Sequence, residues 1–254
     1  MKTVGPEFLG SLTPRPYYWR YLLTYVALFM GSTLAKIKVR GRGNLPQEGP
    51  FVVACNHFSD YDPLFFSYAI RKPISFIAAS DQEIDLVFAW APFIYGWIPV
   101  DRKKLSPSTI KRSLSVLKNG QILGIFPDGG VSYNLLSKPK KGAVFLSNLG
   151  SAPIVPMSIY GAERAWEGAF KGIRSKVCIN IGKPFGPHKV SGSKKEKEVL
   201  LGKIGNEMMW RIASLLPKNR RGHFKNEKTI EILQKQNRIV PDHHHYFKPT
   251  PEDP

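Results

Sequence analysis

Five short apolar runs, partly β-branched and bounded by glycine, proline or polar residues, alternate along this chain with segments of helical period. They are Phe51–Asn56, Ile74–Ala79, Gln121–Phe126, Ile154–Ile159 and Lys176–Ile181. Between them, Ser106-Pro107 reads as an N-cap followed by a first-turn proline. Ile110, Leu114 and Leu117 then keep one apolar face, and Asn119-Gly120 is a stop signal. Lys141–Gly150 and Lys194–Leu216 are further helices; the second carries Leu201, Ile204, Met208, Ile212 and Leu215 at spacings of three and four. A continuous apolar run signals a strand covered on both faces. The expectation is therefore an α/β fold: a single domain with a mixed central sheet flanked by helices. The 254 residues suit one large domain or two small ones, and no internal repeat is visible.

The chain divides into an N-terminal arm and membrane-associated helical segment over 1–36, the α/β domain over 37–217, and a basic C-terminal tail over 218–254. Residues 1–16 read as a loose arm. From Tyr21 to Ala35 no residue is charged; Tyr17, Tyr18 and Trp19 precede this run, and Lys36, Lys38, Arg40 and Arg42 follow it. As a helix the run would reach about 22 Å, short of a hydrocarbon core of about 30 Å. With the aromatic cluster included and Arg20 snorkelling, it could just span. Aromatics and flanking cations suit an interface, so the expectation is a helix lying in or dipping into one leaflet, with the main domain on the cytoplasmic side. A true span, a buried core helix and a cleaved signal peptide are the alternatives; Glu7 and the long preceding arm weigh against the last. The tail reads as a surface or wrap-around arm with a short helix around Thr229–Gln236.

With 37 Lys+Arg against 19 Asp+Glu, the net charge is +18. Its counterpart is nucleic acid, an anionic membrane, or phosphorylated substrates and carriers. Nucleic-acid binding calls for aromatics among the basic runs. The run Lys194–Glu198 is mixed in sign and lacks them, so no nucleic-acid partner is expected. The two cysteines, Cys55 and Cys178, exclude a disulfide scaffold and any zinc site needing several thiolates. Both read as buried thiols, His243-His244-His245 as a surface triplet, and no metal is expected.

Three local features carry chemistry. The stretch Asn56-His57-Phe58-Ser59-Asp60-Tyr61-Asp62-Pro63 follows a strand directly, which puts His57 at a sheet mouth where ligands of open α/β sheets bind. Asp62 can hold one ring nitrogen of His57 and leave the other to take a proton, with Asp60 a nearer competitor. The plainer reading is that Asp62 caps a helix starting at Pro63. Second, the strand ending at Phe126 runs into Pro127-Asp128-Gly129-Gly130-Val131-Ser132, where adjacent glycines let backbone N–H groups approach an oxyanion or phosphate. Such a stretch is also an ordinary tight turn. Third, Gly96 to Arg102, followed by Lys103 and Lys104, sets three cations after a short strand, either a phosphate site or a solvated basic turn.

Together, in this order and spacing, these features resemble the glycerolipid acyltransferase family, which includes the 1-acylglycerol-3-phosphate acyltransferases. That family's H-x-x-x-x-D motif is matched by His57 and Asp62. Its second motif, ending in arginine, is matched by Gly96 to Arg102, and a fourth, with a proline in an apolar strand, by Ile154-Val155-Pro156-Met157. The third motif, usually F-P-E-G-T-R-S, stands here as Phe126-Pro127-Asp128-Gly129-Gly130-Val131-Ser132. The resemblance covers roughly residues 37–185. It implies transfer of a fatty acyl group from acyl-CoA or acyl carrier protein, as co-substrate, to a membrane-lipid hydroxyl such as that of 1-acylglycerol-3-phosphate. His57 would be the base, Asp62 its partner, and Arg102, Lys103, Lys104, Asp128, Gly129, Gly130, Ser132 and Pro156 the substrate-binding residues.

The third motif departs from the family: Asp128 replaces Glu, Gly130 replaces Thr and Val131 replaces Arg. In the family that Glu and Arg help hold the acceptor and its phosphate, so Arg102, Lys103 and Lys104 are expected to supply the missing cation, or the acceptor is a glycolipid or other lipid. No G-x-S-x-G elbow is present, in keeping with direct transfer from an activated thioester. An acyl-thioester hydrolase and a non-catalytic anionic-lipid binder are the alternatives.

Overall fold

A computed structural model of the chain describes residues 3–4, 16–79, 84–85, 97–101, 105–132 and 135–242. Seven strands form one sheet: β1 (Ala35–Arg40), β2 (Phe51–Cys55), β3 (Ile74–Ala79), β4 (Trp97–Val100), β5 (Ile122–Ile125), β6 (Ile154–Tyr160) and β7 (Ser175–Ile181). Their order is β1-β7-β6-β2-β5-β3-β4. Only the β6–β7 pair is antiparallel, so the sheet is mixed, as expected. All five expected runs are strands, within a residue of the bounds read from sequence.

Among the described residues seven helices complete the domain: α1 (Tyr17–Leu34), α2 (Asp62–Ile70), α3 (Pro107–Lys118), α4 (Gly142–Leu149), α5 (Ala165–Phe170), α6 (Lys194–Ser214) and α7 (Glu227–Asn237). Ser106 caps α3, accepting from the Thr109 amide, and Ser193 and Glu196 close a capping box at the start of α6. The two-residue repeat of β2 feeds two cores. Phe51, Val53 and Cys55 pack on one face with Phe65, Phe66 and Ala69 of α2; Val52 and Ala54 pack on the other with Leu146 of α4 and Met208 and Ile212 of α6. Burial on both faces is why β2 and β5 are apolar throughout and β6 nearly so, its buried Ser158 donating to the Leu215 carbonyl at 2.8 Å. A Cβ on Gly124 of β5 would stand 2.9 Å from Ile74 and Phe76, so only glycine lets β3 approach there.

Two expectations change. The arm over 1–16 is not wholly loose: Thr3–Val4 pairs antiparallel with Ile84–Asp85. Arg20 does not snorkel outward; it is 3% exposed and donates to the Ile74 carbonyl at 2.9 Å and Ser75 Oγ at 3.0 Å, fastening α1 to the start of β3. The cations after α1 stand on edge strand β1, where Lys36, Lys38 and Arg40 alternate with the inward Ile37 and Val39, a charged edge that resists pairing with another chain. Among the described residues, no helix is long and apolar enough to cross a membrane.

Residues 218–242 wrap back onto the domain. Ile230, Leu233 and Ile239 are buried, α7 packs on α6, and Asp242 pairs with Lys38 at 3.1 Å and with Arg40. The His243–His245 triplet lies outside the described residues.

Candidate active site

Two loops leave the C-terminal ends of the neighbouring parallel strands β2 and β5 and meet at that edge of the sheet. The first begins at Asn56, whose buried side chain donates to the Ile159 carbonyl at 2.7 Å and accepts from the Ile159 amide at 2.9 Å. The amide thus takes the place of a strand partner for β6 and lets the main chain peel away at His57. Sequence reading gave Asn56 no role; an amide closing a buried apolar strand was the available signal.

The chain then turns and starts α2 at Asp62, which is fully buried. One carboxylate oxygen, Oδ2, accepts from the Phe58 amide at 2.7 Å and the Ser59 amide at 2.9 Å, and lies 3.1 Å from His57 Nδ1. The capping reading of this aspartate changes: Tyr61 is the N-cap of α2, Asp62 stands in the first turn without a side-chain cap bond to the helix, and its carboxylate turns back to the loop and the histidine. Asp60, the nearer competitor, is exposed. Burial pushes the Asp62 carboxyl up from the ordinary carboxylate range; the His57 ring and the two amides pull it back. With Nδ1 engaged, Nε2 is the ring nitrogen left for proton transfer.

The second loop braces the first. Phe126 stacks on the His57 ring at 4.1 Å and 17°, and itself packs on Phe66 and Phe76. The Ser132 amide donates to the His57 carbonyl at 2.8 Å, and Ser132 Oγ donates to Asp128 Oδ2 at 3.1 Å. That same Asp128 oxygen receives the His57 amide at 3.4 Å, while Asp128 Oδ1 is buried without a partner among the described residues. Burial, with the Asp62 charge adding to it, raises the Asp128 carboxyl to about 7 against the Ser132 and His57 hydrogen bonds. Gly129 sits at φ +76° and spends its amide on the Phe126 carbonyl at 3.2 Å. It is therefore not free for an oxyanion, whereas the Gly130 amide has no acceptor among the described residues.

The structure thus brings together His57, Asp62, Asp128, Gly129, Gly130 and Ser132. Pro156 is not among them. It lies inside β6, opposite Ala54 and against Gly182, where it packs the sheet instead of facing the loops. Arg102, Lys103 and Lys104 lie outside the described residues. Two charged residues were missed: Arg220, after α6, pairs with Glu163, after β6, at 3.0 Å, and its guanidinium stands 5.5 Å from the Phe58 ring. Nothing local in the sequence joins positions 57 residues apart. Among the described residues, no group of His, Cys, Asp and Glu is arranged to hold a metal. Cys55 is buried on the core face and its thiol is raised well above its usual value by burial, so it offers no nucleophile.

This fold and these loops are those of an acyltransferase: a family model described as Acyltransferase matches residues 36–160. The chain is also 33% identical over 151 residues to the 1-acyl-sn-glycerol-3-phosphate acyltransferase of Bacillus subtilis (strain 168), an alignment covering 59% of this chain and 73% of that one. It belongs to the 1-acyl-sn-glycerol-3-phosphate acyltransferase family and is an acyltransferase, as the motif resemblance implied. The enzyme of the same name from Saccharomyces cerevisiae is 27% identical over 166 residues, 62% of this chain and 54% of its own. In fold the chain is similar to the crystal structure of the 1-acyl-sn-glycerophosphate (LPA) acyltransferase PlsC from Thermotoga maritima, with a TM-score of 0.52 at 21% identity over 80% of this chain and 86% of that one.

Proposed function

We propose that this acyltransferase moves a fatty acyl group from acyl-CoA or acyl carrier protein to the free hydroxyl of 1-acylglycerol-3-phosphate, giving phosphatidic acid. The observation that carries this reading is the 3.1 Å contact of His57 Nδ1 with an Asp62 oxygen already held by two backbone amides. In the reaction the acceptor oxygen attacks the thioester carbonyl carbon and gives its proton to His57 Nε2. The new C–O bond leaves a tetrahedral oxyanion, for which the Gly130 amide is the available donor in the loop. Collapse breaks the C–S bond, and the thiolate leaves with the proton held on His57. Asp62 stabilises the imidazolium between the two proton transfers. Arg102, with Lys103 or Lys104, is assigned to the acceptor phosphate.

A lipid surface suits the outer face of α1, where Tyr18 is 68%, Trp19 51%, Tyr25 65% and Phe29 71% exposed while Arg20 and Thr24 turn inward. This is the reverse of a soluble amphipathic helix, and so large an apolar patch marks an interaction site. The short helix α5 packs on α1 and ends in the exposed Phe170, which is joined through Trp166 to Tyr61 of the His57 loop. On this reading the domain docks on one leaflet from the cytoplasmic side with its site at the lipid.

The test is incubation of the purified protein with labelled acyl thioester, with and without lysophosphatidate. Phosphatidic acid formed only with acceptor supports the reading. Free fatty acid released without acceptor makes the protein a hydrolase, and transfer only to uncharged lipids moves it to another acceptor.

A further inference from the structure

We infer that Lys140 joins Arg102 in binding the phosphate of the acceptor, supplying at the third-motif turn the cation that Val131 does not. The inference rests on the proposed function, because it needs a phosphorylated acceptor.

Lys140 lies ten residues beyond Gly130 in sequence, yet it is bound to the same turn. Its amide donates to the Pro127 carbonyl at 2.8 Å. Its aliphatic stem runs over Gly129: a Cβ built on that glycine would be 3.1 Å from both Cγ and Cε of Lys140. Gly129 has no Cβ, and that absence makes room for the stem. The ammonium is thereby carried beside a turn whose Asp128 already touches the His57 amide.

The neighbouring lysine is committed elsewhere. Lys141 pairs with Glu198 of α6 at 2.7 Å, whereas Lys140 has no carboxylate partner among the described residues. The turn itself offers no cation, since Asp128 and Val131 flank its glycines. A phosphate left unpaired there would carry a large desolvation cost. An ammonium on a flexible stem meets a phosphate as a point charge and does not need the planar fork of arginine. The Asp128 carboxyl, raised to about 7, adds less than a full negative charge against the phosphate near neutrality. Sequence reading passed over Lys140 because it sits in a basic run with no sign of which lysine lies along the turn.

The experiment is steady-state kinetics of Lys140→Gln and Lys140→Arg with lysophosphatidate, and with monoacylglycerol as an acceptor lacking phosphate. Lys140 is exposed, so both variants should fold. The expected result for Lys140→Gln is a KM for lysophosphatidate raised about tenfold or more, the scale of one charge-assisted contact, with kcat and the donor KM within about twofold of wild type. Lys140→Arg should restore most of the affinity, and any transfer to monoacylglycerol should be unchanged in both. A Lys140→Gln enzyme with the wild-type KM for lysophosphatidate overturns the assignment while leaving the acyltransferase reading intact. A wild type that acylates monoacylglycerol but not lysophosphatidate overturns both.

Discussion

Asp62 reaches back five residues to His57, with Oδ2 3.1 Å from Nδ1, and does so from the first turn of α2. The carboxylate is held before the histidine is added, because the Phe58 and Ser59 amides already point at it. His57→Ala should therefore lower kcat by about 10²-fold or more, the range of a positioned general base, while the protein stays folded. Asp62→Asn should also cost activity, whereas Asp60→Asn should be silent. Single-turnover acyl transfer measures all three. A damaging Asp60→Asn beside a silent Asp62→Asn would reverse the assignment.

Asp128 makes a pH prediction. Its folded-state value of about 7 lies above the ordinary 3.8. The folded protein thus binds a proton that the unfolded chain releases between these values, and stability falls as pH rises from about 4 through 7. Asp128→Asn should remove this slope, gaining at pH 8 up to about 4 kcal/mol relative to wild type by linkage. Ionised Asp128 also sets a negative charge beside the acceptor site. The KM for lysophosphatidate should rise above pH 7 in wild type and stay flat in Asp128→Asn. Urea titrations and acceptor kinetics across pH 5–9 decide this.

The pair of Arg220 and Glu163 ties the C-terminal segment to the His57–Asp62 loop through Phe58. Arg220→Ala strands a buried carboxylate and should destabilise the protein by about 3–5 kcal/mol near neutral pH. Burial raises Glu163 already, with Arg220 holding it down, so removing the cation raises it further. The Arg220→Ala deficit should then shrink as pH falls and Glu163 takes up its proton. Combining the change with Glu163→Gln should recover much of the loss. A deficit independent of pH would assign the effect to packing against Phe58.

Replacing Trp19, Tyr25 and Phe29 together with serine should lower partitioning onto anionic phospholipid vesicles by about tenfold or more, given about 1.5–3 kcal/mol for each large apolar side chain transferred from water. Arg20 and the fold are untouched by these changes. Flotation assays with and without vesicles measure the effect, and unchanged partitioning would move the lipid contact off α1.

The central strands β2, β5 and β6 were legible because they are buried on both faces and so largely apolar along their length, a pattern that survives without knowledge of their neighbours. The His57–Asp62 pair was legible for a related reason: five residues of loop bring it together, and the geometry is local. Arg20 was misread because its partners, Ile74 and Ser75, come from a strand more than fifty residues away. A charge beside an apolar run looks the same whether it faces lipid or pins a helix to a sheet.

The sequence alone determined the α/β class, the positions of five strands, and the histidine–aspartate dyad with its third-motif turn. Each depends on periodicity or on contacts within a few residues. Tertiary structure decided what depends on chain segments meeting. It placed Asn56 as a strand surrogate, stacked Phe126 on His57, removed Pro156 to the sheet interior, laid the Lys140 stem over Gly129, and brought Arg220 to a loop far from it in sequence. The physical reason is that a parallel sheet gathers the ends of strands that are distant along the chain. A site built at that edge takes its electrostatics from residues whose proximity only the strand order creates.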